Sequence, residues 1–188
     1  MSLGNQLRAL RIGRGLKLAD LARKAGTTPS LLSQVERGIV TPSIATLKKI
    51  ADALEVPVGY FFEEVEQPKS DVTVQSRRSP VVHEHQRKIL SPNRGVTFHL
   101  LNPDMSGPIE FIYNVFEPGA STGDELYTHP GVECGLVLEG ELEVVVGDQV
   151  YVLKQGDSIT FSSEVPHRKR NVGTGKAISI WANSPPWF

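Results

Sequence analysis

The apolar positions of the chain follow two different periods. Over about the first third they recur at steps of three and four residues, and from residue 81 onward they alternate. Leu7 and Leu10, with Arg11, mark a first helix over residues 4 to 14, ended by the glycines at 13 and 15. In a second helix Leu18, Leu21 and Ala22 repeat at i, i+3, i+4, and Gly26 supplies a turn residue free to take positive φ. A third starts at Thr28, which can accept from an early backbone N–H as N-cap, with Pro29 at N1, where its missing donor costs nothing. After a break over residues 41 to 43, Ser43 can cap a fourth helix with Ile44, Leu47, Ile50, Ala51 and Leu54 inward. A short fifth helix is expected after Pro57, its Val58, Phe61 and Phe62 closing a core to which each short helix contributes one stripe.

Residues 66 to 80 are polar, bracketed by prolines and aperiodic, which predicts a linker; Arg77 and Arg78 within it are read as a solvated pair, with a contact to DNA as the alternative. Beyond it come short runs such as GVTFHLL, EFIYNVF, ELEVVV, QVYVL, SITF and AISIW, separated by turn signals, with Gly147-Asp148 reading as a tight hairpin. Many short strands at such spacing predict a sandwich or barrel, whose interior can hold a ligand. The expected organisation is an α + β chain in two domains: a five-helix bundle over residues 1–65, a linker over 66–80 and a β-barrel over 81–188.

The third helix has two faces. Leu31, Leu32 and Val35 are apolar, while Ser30, Ser33, Gln34 and Arg37 fall at i, i+3, i+4 and i+7 and carry groups suited to base edges and phosphates. The stretch GLKLADLARKAGTTPSLLSQVERG, followed by TPSIATLKKIADALEVP, resembles the helix-turn-helix of the xenobiotic-response-element and phage-repressor family. That resemblance implies that Pro29, Ser30, Ser33 and Gln34 face the bases of a double-stranded DNA operator. It implies too that Lys17, Thr28 and Arg37 lie near phosphates, and that Arg11 and Glu36 form an internal ion pair. Pro29 departs from the usual polar reader and offers only apolar contact.

Charge sharpens the division. Residues 1 to 65 hold nine Lys and Arg against six acids, residues 66 to 188 eleven against fifteen, so a net charge of −1 separates into +3 and −4. A basic first half suits a polyanion that the second half would repel. The chain has no N-terminal signal segment and no run of 18 apolar residues, so no membrane span and a cytoplasmic location are expected. Its single cysteine, Cys134, can form no internal disulfide.

The candidate chemistry lies in PGASTGDELYTHPGVECGLVLEGELEV and LKQGDSITFSSEVPHRKRN. Tyr127 and His129, two apart on a strand, share a face, and Pro130-Gly131 can kink the chain so that Glu133 returns inward. His167, from a separate strand after Pro166, can complete a set of two imidazoles and one carboxylate, ligands accepted by ferrous iron and by zinc. A metal-free barrel whose polar residues hydrogen-bond a ligand is the alternative. These segments resemble the two motifs of the cupin family: His129, Glu133 and Gly140 match the first, Gly156, Pro166, His167 and Asn171 the second, and Tyr127 stands where the first histidine is usual. The resemblance implies a jelly-roll barrel with His129, Glu133 and His167 as ligands of a divalent metal ion, zinc or iron. Tyr127 is assigned to the pocket beside the metal, and His99, alternating within an apolar strand, to core or pocket lining. The aromatics of the C-terminal Trp181 to SPPWF stretch are candidates to cap a pocket or a dimer contact.

Together the two motifs resemble bacterial transcription regulators in which a cupin senses a small-molecule effector and holds a homodimer. A metal-dependent cupin enzyme is the rival, since the fosfomycin-forming epoxidase has a similar architecture. The lysine that the epoxidase takes from its helical domain falls near Gly15 here. A cupin isomerase or dioxygenase with a vestigial head is a third reading.

Overall fold

The computed structural model describes residues 2–61, 79–93 and 95–187. Four α-helices come first: α1 (Leu3–Gly13), α2 (Leu18–Lys24), α3 (Pro29–Glu36) and α4 (Ile44–Ala53). Their ends follow the expected local chemistry. The Thr28 hydroxyl accepts from Leu31 N at 3.2 Å, Ser43 Oγ accepts from Thr46 N at 3.1 Å, and Gly26 takes φ 60° between α2 and α3. Leu7, Leu21, Leu32, Leu47 and Leu54 meet in the centre, all fully buried.

Where a fifth helix is expected the structure has a 3₁₀ turn, Val58–Phe61, so among the described residues the α-helices number four. Its sequence, VGYF, joins a glycine to β-branched and aromatic residues, none of which repays an α-helical turn from within. Val58 and Phe61 are buried as expected. Phe62 and residues 66–78 of the expected linker, with Arg77 and Arg78, lie outside the described residues.

The second half forms two antiparallel sheets. One has six strands in the order β1 (Ile89–Asn93), β2 (Val96–Leu100), β3 (Glu110–Phe116), β9 (Ala177–Ser184), β4 (Val132–Glu139) and β7 (Ser158–Ser162). The other runs β6 (Gln149–Lys154), β5 (Glu141–Val146) and β8 (His167–Asn171). The β5–β6 hairpin turns at Gly147-Asp148, with Val146 paired to Gln149 and Gly147 at φ 59°. Strand β1 contains Pro92, tolerated because β1 is an edge strand with a register shift. Alternation buries Ile112, Val137 and Trp181 between the sheets with Leu142 and Val144.

Head and barrel touch. Ile44 N donates to Thr122 O at 3.3 Å, and a Cβ on Gly123 would stand 2.9 Å from that of Ser43. The first turn of α4 therefore rests on the loop leading into the barrel's functional segment. Among the described residues no helix is long and apolar enough to cross a membrane.

Candidate functional site

Strand pairing brings the barrel residues together. Tyr127 exchanges backbone hydrogen bonds with His167, 3.0 Å each way, and His129 N donates to Ser163 O at 3.0 Å, so the segment before β4 is stitched to β8 and its approach. Gly131 then takes φ 104°, with Ser184 O only 2.1 Å from where a Cβ would stand. Only glycine passes here, and the reversal turns Glu133 inward, as the Pro-Gly pair predicts. The candidate ligand atoms of His129, Glu133 and His167 lie within 4.8 Å of one another, all three residues buried.

The tautomers are set from behind. His129 Nδ1 lies 3.2 Å from Pro130 O and His167 Nδ1 lies 2.8 Å from Val165 O, so each backbone carbonyl can accept an Nδ1 proton, the tautomer that leaves Nε2 free to bind a metal. Those two Nε2 atoms stand 2.9 and 2.8 Å from the same oxygen, Glu133 Oε1. The His167 contact is close enough for an ion pair but not aligned as a hydrogen bond, which leaves that buried Nε2 without a hydrogen-bond partner. In that tautomer the Nε2 lone pairs would face a carboxylate oxygen, an arrangement that a cation between them relieves. The donor set, its backbone support and the orphaned nitrogen all fit a divalent metal ion.

One residue of the site escaped the sequence reading. Lys169, two beyond His167 on β8, is buried; its ammonium pairs with Glu133 Oε2 and sits 3.8 Å from the centre of the Trp181 ring. Burial alone would raise the Glu133 carboxyl, but the Lys169 ammonium holds it well below the usual carboxylate range. Burial would conversely lower the Lys169 ammonium, and Glu133 and Tyr127 raise it. The period of β8 carried the signal, because a residue two from an inward histidine shares its face.

Tyr127 is buried, its ring edge-on to His167 at 4.4 Å, and burial pushes its hydroxyl up, partly offset by Lys169. Trp187 lies flat on both Tyr127, at 5.2 Å, and His129, at 4.6 Å, while its backbone N donates to the buried Glu110 at 2.9 Å. The C-terminal segment thus covers the site. Ile44 of α4 lines the same cavity as Tyr127, Glu133, Lys169, Trp181 and Trp187. With both in place the cavity measures about 20 Å³, room for little more than one water.

His99 is not in this cavity. Val96, Phe98 and Leu100 take the inner face of β2, so His99 points outward, edge-on to Tyr113 at 5.7 Å. The assignment to pocket lining is corrected by the alternation of its own strand. Asn171 serves the fold: its Nδ2 donates to Phe116 O and Gly175 O at 3.0 and 2.8 Å. His83 and His85 stack on each other in a short exposed turn, outside the cluster.

In the head, Lys17, Thr28, Pro29, Ser30 and Arg37 are exposed and Ser33 and Gln34 half-buried, while Leu32 and Val35 on the opposite side of α3 are buried. Arg11 grips Glu36 with two hydrogen bonds of 2.6 and 2.8 Å and donates to Leu16 O at 2.9 Å, tying α1 to the end of α3. The Glu36 contact raises the Arg11 guanidinium further.

Comparison with known proteins finds both halves. Residues 7–61 match the helix-turn-helix family HTH_3, and residues 113–183 match the cupin domain family Cupin_2. The chain is 30% identical over 186 residues to the HTH-type transcriptional regulator PuuR of Escherichia coli (strain K12), covering 98% of this chain and 96% of that protein. It is 29% identical over 171 residues to the HTH-type transcriptional regulator SutR of the same strain, with 91% and 88% covered. A crystal structure of an HTH_3 family transcriptional regulator from Vibrio cholerae superposes with a TM-score of 0.62 at 27% identity, covering 98% of this chain and 95% of that one.

Proposed function

This chain belongs to the family of HTH-type transcriptional regulators, and from that premise we propose that it is an effector-responsive, dimeric DNA-binding protein whose barrel and head communicate through α4. The observation that carries this reading is Ile44: it belongs to the helical head, yet it lines the barrel cavity beside Glu133 and Lys169. A molecule that fills that cavity must displace Ile44 or Trp187. Displacing Ile44 shifts the head, and a ligand that favours one placement over the other biases DNA binding by that difference in affinity.

The exposed stripe of α3 supports the DNA reading. Ser30, Ser33 and Gln34 have the groups to read base edges, and Pro29 can touch a thymine methyl. Lys17, Thr28 and Arg37 suit phosphates. Two heads related by a two-fold axis would need a palindromic operator with half-sites about one or more helical turns apart. The outer face of β3, β9 and β4 suits the dimer contact. It carries Phe111, Tyr113, Ile180, Ala182, Val132, Cys134 and Leu136, none of them charged, with Phe111, Val132 and Leu136 at least 40% exposed.

In the barrel, His129, Glu133 and His167 would hold a divalent metal ion, zinc or iron, with Tyr127 placed to orient a bound molecule. A metal there would take up the two imidazole Nε2 atoms and give an anchoring point for a polar effector group. The full-length relatives are transcriptional regulators, which favours regulation over the oxidoreductase alternative.

Footprinting of the full-length protein on genomic fragments, repeated with Gln34→Ala and with His129→Ala/His167→Ala, tests the reading. Wild type should protect a two-fold-related site, Gln34→Ala should relax base preference within it, and the double histidine variant should still protect it as a folded dimer. Absence of any protected site, or a double variant that loses the site while remaining a folded dimer, sinks the two-domain division of labour.

A further inference from the structure

Glu133 carries two claims at once. Its Oε1 faces both imidazole Nε2 atoms, at 2.9 and 2.8 Å, while its Oε2 is taken by the Lys169 ammonium. Carboxylate and ammonium are both almost completely buried, with side-chain exposures of 1% and 6%. Lys169 is held independently of Glu133 as well, because its Nζ lies over the Trp181 ring. Trp181 is in turn fixed by its Nε1–H, which donates to Ser179 Oγ at 3.0 Å.

A buried carboxylate needs a compensating positive charge, and one such charge neutralises it. Here the compensation is built into the chain. From that geometry we infer that Lys169 is a resident cation that competes with the metal for Glu133, so that it sets the metal affinity of the site and keeps the barrel folded without metal. The inference rests on the metal reading of His129, Glu133 and His167. A divalent ion bound at Oε1 and the two Nε2 atoms would share one carboxylate with an ammonium a few ångströms away. Two cations at that distance in a poorly solvated interior repel strongly, and the repulsion appears as weakened metal binding. Removing the ammonium leaves Glu133 dependent on the metal. The site then prefers the ion to its absence.

The consequence concerns specificity. With the ammonium in place the site fills at a higher ion concentration than the same three ligands would without it. Lys169 is therefore a positioning and tuning residue and not a ligand.

The test uses the full-length protein, stripped of metal with a chelator and titrated with Co(II) and then Zn(II), followed by calorimetry and, for cobalt, visible absorption. Lys169→Met removes the ammonium from a side chain of similar length and should bind each ion at least tenfold more tightly than wild type. Lys169→Gln should change affinity in the same direction and serves if the methionine variant folds poorly. Lys169→Arg, which keeps the charge, should gain nothing. Lys176→Met removes a surface lysine paired with Glu117 and should bind like wild type, showing that net charge is not the cause. A second readout is thermal: without metal, Lys169→Met should melt lower than wild type, and saturating Zn(II) should restore more stability to it than to wild type. Equal affinity of wild type and Lys169→Met, or weaker binding by the variant, overturns the competition while leaving the metal site intact. If neither wild type nor Lys169→Met binds either ion, the competition and the metal reading fail together.

Discussion

Single residues decide how this molecule holds its charges. Arg11 and Glu36 form a nearly buried two-bond pair, with side-chain exposures of 12% and 5%. Arg11→Met should therefore leave Glu36 buried without its partner and destabilise the head by about 3 kcal/mol, read as a lower urea midpoint for loss of helical signal. Gly135 is a second such position. A Cβ there would stand 2.6 Å from the Trp181 ring, so Gly135→Ala must push the indole off its seat under Lys169. Overpacking of this kind costs about 1 to 3 kcal/mol, and a shifted tryptophan emission in the variant would report the displaced ring. An unchanged melting temperature and spectrum would show that the contact is relieved elsewhere.

At the scale of elements, the question is what each helix and strand presents. Helix α3 buries Leu32 and Val35 and turns Ser30, Ser33 and Gln34 away from the core. Replacing Gln34 or Ser33 by alanine should cost about 1 to 3 kcal/mol at particular base pairs, whereas Lys17→Ala should weaken all sequences alike and lower the salt dependence of binding. Anisotropy titrations against an operator and a scrambled duplex separate the two outcomes. These faces were legible because they depend on neighbours three and four residues apart. Strand β8 was only half legible: His167 and Asn171 stood out as motif positions, while Lys169, on the same face, was passed over. The form of the segment after Pro57 was not legible, because the apolar spacing at Val58 and Phe61 satisfies a 3₁₀ turn as well as an α-helical one.

At the scale of the whole molecule, α4 belongs to the head and touches the barrel. Its Ile44 lines the barrel cavity together with both tryptophans of the chain, Trp181 and Trp187. Ile44→Ala should open it, raising acrylamide quenching of tryptophan fluorescence while α4 stays helical. Operator affinity should change with it, because the head loses a fixed seat on the barrel. Quenching that rises with no change in operator affinity would separate the cavity from the head. A barrel fragment beginning at about residue 80 should remain folded and dimeric, since the strands bury their own core, and the isolated head should bind DNA more weakly than the full chain for want of a linked second head. Sedimentation of the fragment and titration of the head check each half of this expectation.

What the sequence determined by itself was whatever depends on near neighbours. It set the change of period between the halves, the caps at Thr28 and Ser43, the exposed stripe of α3, the Gly147-Asp148 hairpin and the inward turn of Glu133 after Pro130-Gly131. The convergence of His129, Glu133 and His167 was accessible only through motif spacing, since His167 arrives from the other sheet. Tertiary structure alone decided that Lys169 answers Glu133, that Trp187 lies over His129 and that Ile44 reaches into the barrel. Each of these joins residues far apart in the chain. Their meeting is set by strand order, sheet closure and the docking of head on barrel, and no local pattern of apolar and polar positions encodes it.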